Sequence, residues 1–159
     1  MERLSQNGAD FEVVPGVSSF TAAAAAIPAE FTLPDVSQTV ILTRLSGRTE
    51  VPEAERLESL AAHQASMALF LSAGAIEEVC ARLMEHYPEH TPAAVVYKAT
   101  WPEEKIVRGT LADIAAKARQ EQISKTAQIL VGPFLGERFA LSKLYDAGFS
   151  HGYRKAKHE

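Results

Sequence analysis

Two strand-like runs, "TPAAVVYKA" and "EKIVRG", are separated only by a turn at Trp101-Pro102, which leaves no room for a helix between them. Strands joined this tightly read as a hairpin, and therefore as antiparallel neighbours. Elsewhere the chain alternates strand and helix patterns, the mark of an α/β protein. The two observations together predict a mixed sheet of about five strands flanked by helices, not a purely parallel one.

The other elements follow from local chemistry. "FEVVPGVSSFTAAAAA" reads as a strand, Phe11 to Val14, stopped by Pro15-Gly16. Ser18 or Ser19 then caps a helix by accepting a backbone N–H, and the alanine run has high helix propensity until Pro28. The alanines suit close helix packing in a core. "SQTVILTRL" has a solid apolar centre at Val40 to Leu42 that suits a central strand, and "SGRTEVP" is a loop. Pro52 fits the first turn of a helix carrying Leu57, Leu60 and Ala61. "ASMALFLSA" is a strand, and Ile76, Val79, Cys80, Leu83 and Met84 then fall at amphipathic-helix spacing behind Glu77 and Glu78. Thr110 and Asp113 resemble an acidic capping box, with Leu111, Ile114, Ala115 and Ala118 continuing on one helical face, and "AQILVGP" is the last buried strand. A polar, aromatic and irregular stretch closes the chain.

Composition narrows the function classes. A chain of 159 residues with 47% hydrophobic side chains and no bilayer-length apolar run reads as a soluble domain or a large piece of one. A net charge of −4 argues against nucleic acid as a partner, although 16 Lys and Arg allow a local patch for a small polyanion. The single cysteine, Cys80, excludes an internal disulfide and reads as a core residue; with no signal peptide in view, a cytoplasmic location is expected. Dinucleotide, P-loop and zincin motifs are absent, the histidines lack metal-ligand spacing, and Ser18 lacks the Gly-x-Ser-x-Gly elbow of a hydrolase. No metal is expected. Arg44 at a strand end and Arg48 in the following loop stand out, because planar guanidinium groups pair with carboxylates in parallel double hydrogen bonds. Ordinary solvated charges are the competing reading of both.

Taken together, "VVPGVSSF", "ILTRLSGRTEVP", "MALFLSA", "TPAAVVYKATWPEEKIVRGTL", "ILVGP" and "SKLYDAGFSHGYR" resemble the carboxyl-terminal part of the tetrapyrrole methylase family. "TRLSGRTEVP" and "SKLYDAGFSHGYR" favour the branch that methylates C11 of precorrin-4, or of its cobalt form, in cobalamin biosynthesis. The resemblance implies two α/β domains with S-adenosylmethionine between them and S-adenosylhomocysteine as the product. It also implies a tetrapyrrole substrate and a homodimer. The Gly-rich first loop and Gly-Asp motif of the family's amino-terminal domain have no counterpart in this sequence. Met1 thus reads as an internal start, residues 1–10 as the remnant of an inter-domain helix, and residues 11–159 as the carboxyl-terminal domain of an incomplete enzyme.

By the same resemblance Ser18 and Ser19 face the cofactor, and Leu71 stands where relatives often carry Met. Ala99 and Thr100 match the adenine side, and Gly109, Thr110 and Leu111 approach it. Arg44 and Arg48 orient the carboxylates of the macrocycle. No catalytic residue is assigned. The alternatives are methylation of another precorrin intermediate, or a binding or dimerisation module without turnover.

Overall fold

The computed structural model describes residues 1–47, 49–136, 148, 150, 152, 153 and 155. A short helix α1, Glu2–Gln6, buries none of its residues. Helix α2 is Ser19–Ala26, and strand β1 is Val40–Arg44. A turn of 3-10 helix leads into α3, Leu57–Ala61, and then β2, Ser66–Phe70. Helix α4, Ile76–Leu83, precedes the hairpin of β3, Pro92–Tyr97, and β4, Lys105–Thr110. Helix α5, Ile114–Gln120, and β5, Ala127–Val131, complete the domain.

The strands form one sheet of 5 in the order β1-β2-β5-β3-β4. Only β1 and β2 run parallel; β2 with β5, β5 with β3, and β3 with β4 are antiparallel. The expected mixed sheet is therefore what this sequence forms, with the Trp101-Pro102 hairpin as its antiparallel edge.

Alternation along each strand sends side chains to two different cores. Met67 and Leu69 of β2, Val95 of β3, and Ile129 and Val131 of β5 meet Leu57, Val79, Leu83 and Ile114 from α3, α4 and α5. Ala68, Ala94, Val96 and Leu130 face the other way, onto Ala23 and Ile27 of the α2 layer. Ala23 and Ala24 thus have the packing role expected of the alanine run, whereas Ala25 is exposed. Phe20 sits edge-on to Phe70 at a centroid distance of 6.4 Å and tilts against Phe31 at 5.6 Å.

Departures from the sequence reading have physical causes. Phe11 to Val14 is no strand: it pairs with neither edge of the sheet, and Phe11, Val13 and Val14 are exposed. β propensity without a partner edge makes no ladder. β1 is an edge strand and not a central one, with Leu42 half exposed. Ser18 occupies the cap position of α2, but no side-chain bond caps the helix; its carbonyl accepts from Ala22 N and Thr21 Oγ1. The capping box is half made. Asp113 accepts the Thr110 N–H at 2.8 Å, yet the helix begins only at Ile114, so Leu111 lies in the turn.

Candidate functional site

The sheet has two unlike ends. At one, β1, β2 and β3 finish while β4 and β5 begin, because the register sets Tyr97 beside both Lys105 and Ala127. A cleft of about 490 Å³ opens there, lined by Val17, Ser19 and Ala22 from the α2 side, and by Phe70 and Leu71 after β2. Lys98 to Trp101 after β3, and Ser124 to Gln128 leading into β5, complete it. Strand ends gather these groups because the chain must leave the sheet at that edge and expose backbone in doing so.

The backbone around the cleft is unusual. Leu71, Lys98, Thr100 and Thr126 all lie in the left-handed region, with φ of 53°, 46°, 73° and 55°. Side chains with a Cβ are costly there, at roughly 1–2 kcal/mol each, and such strain gathers where backbone groups must be aimed. Leu71 is the clearest case, being 93% exposed immediately after a strand whose Leu69 is fully buried.

Gln128 is the one buried polar side chain of β5. Its Oε1 accepts from the Ser19 hydroxyl at 2.9 Å, and its Nε2 donates to the Leu69 carbonyl at 2.8 Å. The hydroxyl of Ser19 is therefore engaged within the fold. The turn after β3 is held by Lys98 N–H donating to the Thr126 carbonyl and by Thr100 N–H donating to Glu104. Lys98 lies over the rings of Tyr97 and Trp101 and pairs with Glu103 at 3.1 Å. The hydrogen bond to Glu103 holds its ammonium above the usual lysine range. Lys98 and Lys125 are the charged residues of the lining, which contains no carboxylate.

The structure thus brings Ser19, Leu71, Ala99 and Thr100 into one cleft, with Ser18 next to it. It does not bring Gly109, Thr110 and Leu111 there. Gly109 and Thr110 end β4 at the far edge, beside Ala93 and Pro92, and Leu111 follows in the turn, buried, where Asp113 engages Thr110. Asp113 approaches so closely that a Cβ on Gly109 would lie 2.2 Å from its carboxylate oxygen, which accounts for the glycine.

Arg44 lines a separate groove on β1 with Leu42, Glu50 and Phe70. Its guanidinium donates to the carbonyls of Leu45, Thr49 and Glu50 and to the Thr49 hydroxyl, so it organises its own loop through neutral acceptors. Arg48 lies outside the described residues.

The contribution of residues 124–128 escaped the sequence reading, which took "AQILVGP" as a uniformly buried strand. The available clue was Gln128 itself, a polar side chain inside an otherwise apolar run. Among the described residues, no group of three or more His, Cys, Asp or Glu is placed to hold a metal, and no helix is long and apolar enough to cross a membrane.

A sheet of this order with a cleft at its strand ends is that of the tetrapyrrole methylases, and the chain belongs to that family: the profile described as Tetrapyrrole (Corrin/Porphyrin) Methylases matches residues 1–115. Among curated relatives it is 54% identical over 158 residues to the cobalt-precorrin-4 C(11)-methyltransferase of Methanocaldococcus jannaschii, covering 98% of this chain and 61% of that protein. It is 44% identical over 155 residues to the precorrin-4 C(11)-methyltransferase of Pseudomonas aeruginosa, covering 97% and 62%. The chain thus spans about three fifths of the length of these relatives.

Among solved structures, a cobalamin biosynthetic enzyme, cobalt precorrin-4 methyltransferase, superposes with a TM-score of 0.82 at 51% identity, over 85% of this chain and 57% of that one. The uroporphyrin-III C-methyltransferase of Thermus thermophilus complexed with S-adenosylhomocysteine shares the fold, with a TM-score of 0.65 at 19% identity over 83% of this chain and 57% of that one.

Proposed function

We propose that this chain is the carboxyl-terminal, cofactor-holding part of an S-adenosylmethionine-dependent methyltransferase acting at C11 of precorrin-4 or cobalt-precorrin-4 in cobalamin biosynthesis. The observation that carries this reading is the convergence of Ser19, Leu71, Ala99 and Thr100 on a single cleft. Identity to the named C(11)-methyltransferases supports the particular reaction.

The cleft suits the cofactor in size and chemistry. Its volume of about 490 Å³ is that of a small-molecule site, and its walls are largely apolar. Backbone groups at Leu71 and Ala99 offer donors and acceptors to the edge of a purine, the Thr100 N–H and Thr126 carbonyl being engaged within the turn, while Val17, Ala22, Phe70 and Trp101 cover flat apolar faces. When bound, S-adenosylmethionine supplies a methyl group already activated on a sulfonium. The protein's remaining work is then to hold the nucleophilic ring carbon in line and to keep water out. Lys125 at the rim suits the carboxylates of cofactor or macrocycle, while Lys98 is paired with Glu103.

In this reading residues 1–10 belong to an inter-domain linker, residues 11–159 form the carboxyl-terminal domain, and Arg44 and Arg48 face the macrocycle. The complete enzyme is a cytoplasmic homodimer, supported by family resemblance and by the exposed Phe11, Val13, Val14 and Val17 that such an assembly would cover. Calorimetric titration with S-adenosylhomocysteine tests the site, with one-to-one binding expected; a folded sample that takes up none would refute it. Turnover by the enzyme with the preceding domain supplied, its product located by mass and NMR, separates C11 from other ring carbons.

A further inference from the structure

Helix α2 carries Ser19 and Ala22 into the cleft, yet little in its own surface fixes where it lies on the sheet. Its sequence, SFTAAAAA, offers small side chains, and the strand residues beneath it include Ala68 and Ala94. Alanine against alanine packs closely but interdigitates little, so such a contact is permissive of sliding. Phe20 against Phe70 adds apolar contact without a directional bond.

Direction comes from two polar contacts, one at each end of the helix. Arg108 crosses the sheet face and donates to the Ile27 carbonyl at 2.9 Å, holding the end distant from the cleft. At the cleft end the Ser19–Gln128 bond does the corresponding work. Gln128 is 4% exposed, and its other bond runs to Leu69, two residues before the left-handed Leu71; two residues before Gln128 itself lies the left-handed Thr126. One amide side chain therefore links the segments that enter the cleft from α2, β2 and β5.

We infer that Gln128 is a positioning residue for the cofactor cleft: it sets α2 and the end of β2 in their binding arrangement before any ligand arrives. The inference rests on the proposed reading of the cleft as a cofactor site, but its structural half is independent of that reading. Preorganisation of this kind raises affinity by removing an ordering penalty from the binding step. A buried amide that served only the core would behave differently. Replacing it by an apolar side chain of similar shape would lower stability, because the Ser19 hydroxyl and the Leu69 carbonyl each lose a partner, and leave the ligand untouched.

The test uses Gln128→Met, Ser19→Ala and their combination in the full chain. Affinity for S-adenosylhomocysteine is expected to fall roughly tenfold in each of the first two variants, the equivalent of one neutral hydrogen bond. The double variant should be no worse than Gln128→Met alone, because Ser19→Ala removes one of the two links that Gln128→Met already removes. Thermal midpoints should not follow the affinities.

Amide exchange without ligand gives the second readout. In Gln128→Met, exchange at Ala22, Ala23 and Ala24 should accelerate while Ala94 to Val96 in β3 holds. Unchanged affinity in Gln128→Met, or additive losses in the double variant, would overturn the inference, as would unchanged exchange in α2. If the parent chain binds no S-adenosylhomocysteine, the cofactor reading fails, and the exchange result alone decides whether Gln128 positions the helix.

Discussion

The two ends of the sheet are built from the same strands and obey opposite rules. At the closed end, polar groups are paired within the fold: the Tyr87 hydroxyl donates to the Ala65 carbonyl at 2.6 Å, Leu111 N–H to Thr91, and Gly132 N–H to Pro92. Gln64, which shares positive φ with Asp35 and Gly132 at this end, uses its side-chain amide on the His86 carbonyl. At the cleft end Leu71, Val17 and Trp101 lie exposed, and the backbone is held in left-handed turns. One end stabilises, and the other keeps groups available at a cost in stability. This division predicts that mutations at the closed end move unfolding and leave binding alone, while those at the cleft do the reverse.

The sharpest contrast uses one residue type at two neighbouring positions. Leu69 is fully buried between β1 and β5, while Leu71 is 93% exposed at the cleft. Leu69→Ala should destabilise by about 2–5 kcal/mol through lost burial and a cavity. Leu71→Ala should stay within about 0.5 kcal/mol, as exposed substitutions do, while weakening S-adenosylhomocysteine. Urea unfolding and calorimetric titration on both variants decide it; a large stability loss in Leu71→Ala would erase the distinction between the buried strand and the cleft rim.

Titration of the closed core comes next in size. Burial pushes the Cys80 thiol up from 9.0 to about 11, and burial likewise raises the Tyr87 phenol. Both groups are neutral when protonated, and each keeps its proton to higher pH in the folded chain than in the unfolded one. Their contribution is therefore complete below about pH 9 and is lost as pH rises through the folded values. The thiol's share amounts to about 2–3 kcal/mol by pH 11. Urea midpoints between pH 8 and 11 should fall in the parent and fall less in Cys80→Ala. A parallel decline in both would remove the thiol as the cause.

Much of this fold was legible in the sequence because periodicity and turn chemistry are local. Ile76, Val79, Cys80 and Leu83 are buried as their spacing requires, and the Trp101-Pro102 turn does join an antiparallel pair. What depended on partners was not legible. Phe11 to Val14 has strand chemistry but no edge to pair with, and Val40 to Leu42 looked central because its apolar run says nothing of its neighbours in the sheet. Half of the site fell to the same problem. Ser19, Leu71, Ala99 and Thr100 adjoin recognisable breaks in secondary structure, whereas Thr126 and Gln128 reach the cleft only through the register that sets Gln128 beside Val96.

Gly109 sharpens the comparison from the closed end. The sequence reading brought it near the cofactor, and the fold sets it against Asp113 at the opposite edge. The hydrogen bond from Lys117 and the Thr110 N–H hold the Asp113 carboxyl below its usual range, so the carboxylate is a settled part of that turn. A methyl group at Gly109 must displace it. Gly109→Ala should cost about 1–2 kcal/mol, the scale of a lost helix-end contact, and leave affinity for S-adenosylhomocysteine unchanged. Weakened binding without loss of stability would move part of the site to the closed end.

The smallest effect on stability is expected at Arg44, where charge and shape can be separated. Its hydrogen bonds run to carbonyls and a hydroxyl of residues 45–50, and it makes no ion pair among the described residues. Removing exposed neutral contacts should change unfolding by less than about 0.5 kcal/mol, so any larger effect on tetrapyrrole binding is functional. Lysine preserves the charge but cannot reproduce the planar fork that reaches several acceptors at once. If Arg44 acts by shaping the loop, Arg44→Lys should lose tetrapyrrole affinity as fully as Arg44→Gln, with S-adenosylhomocysteine unaffected in both. Retained affinity in Arg44→Lys alone would instead make the charge itself the recognition element, and would extend the binding end of the sheet from the cleft to the groove on β1.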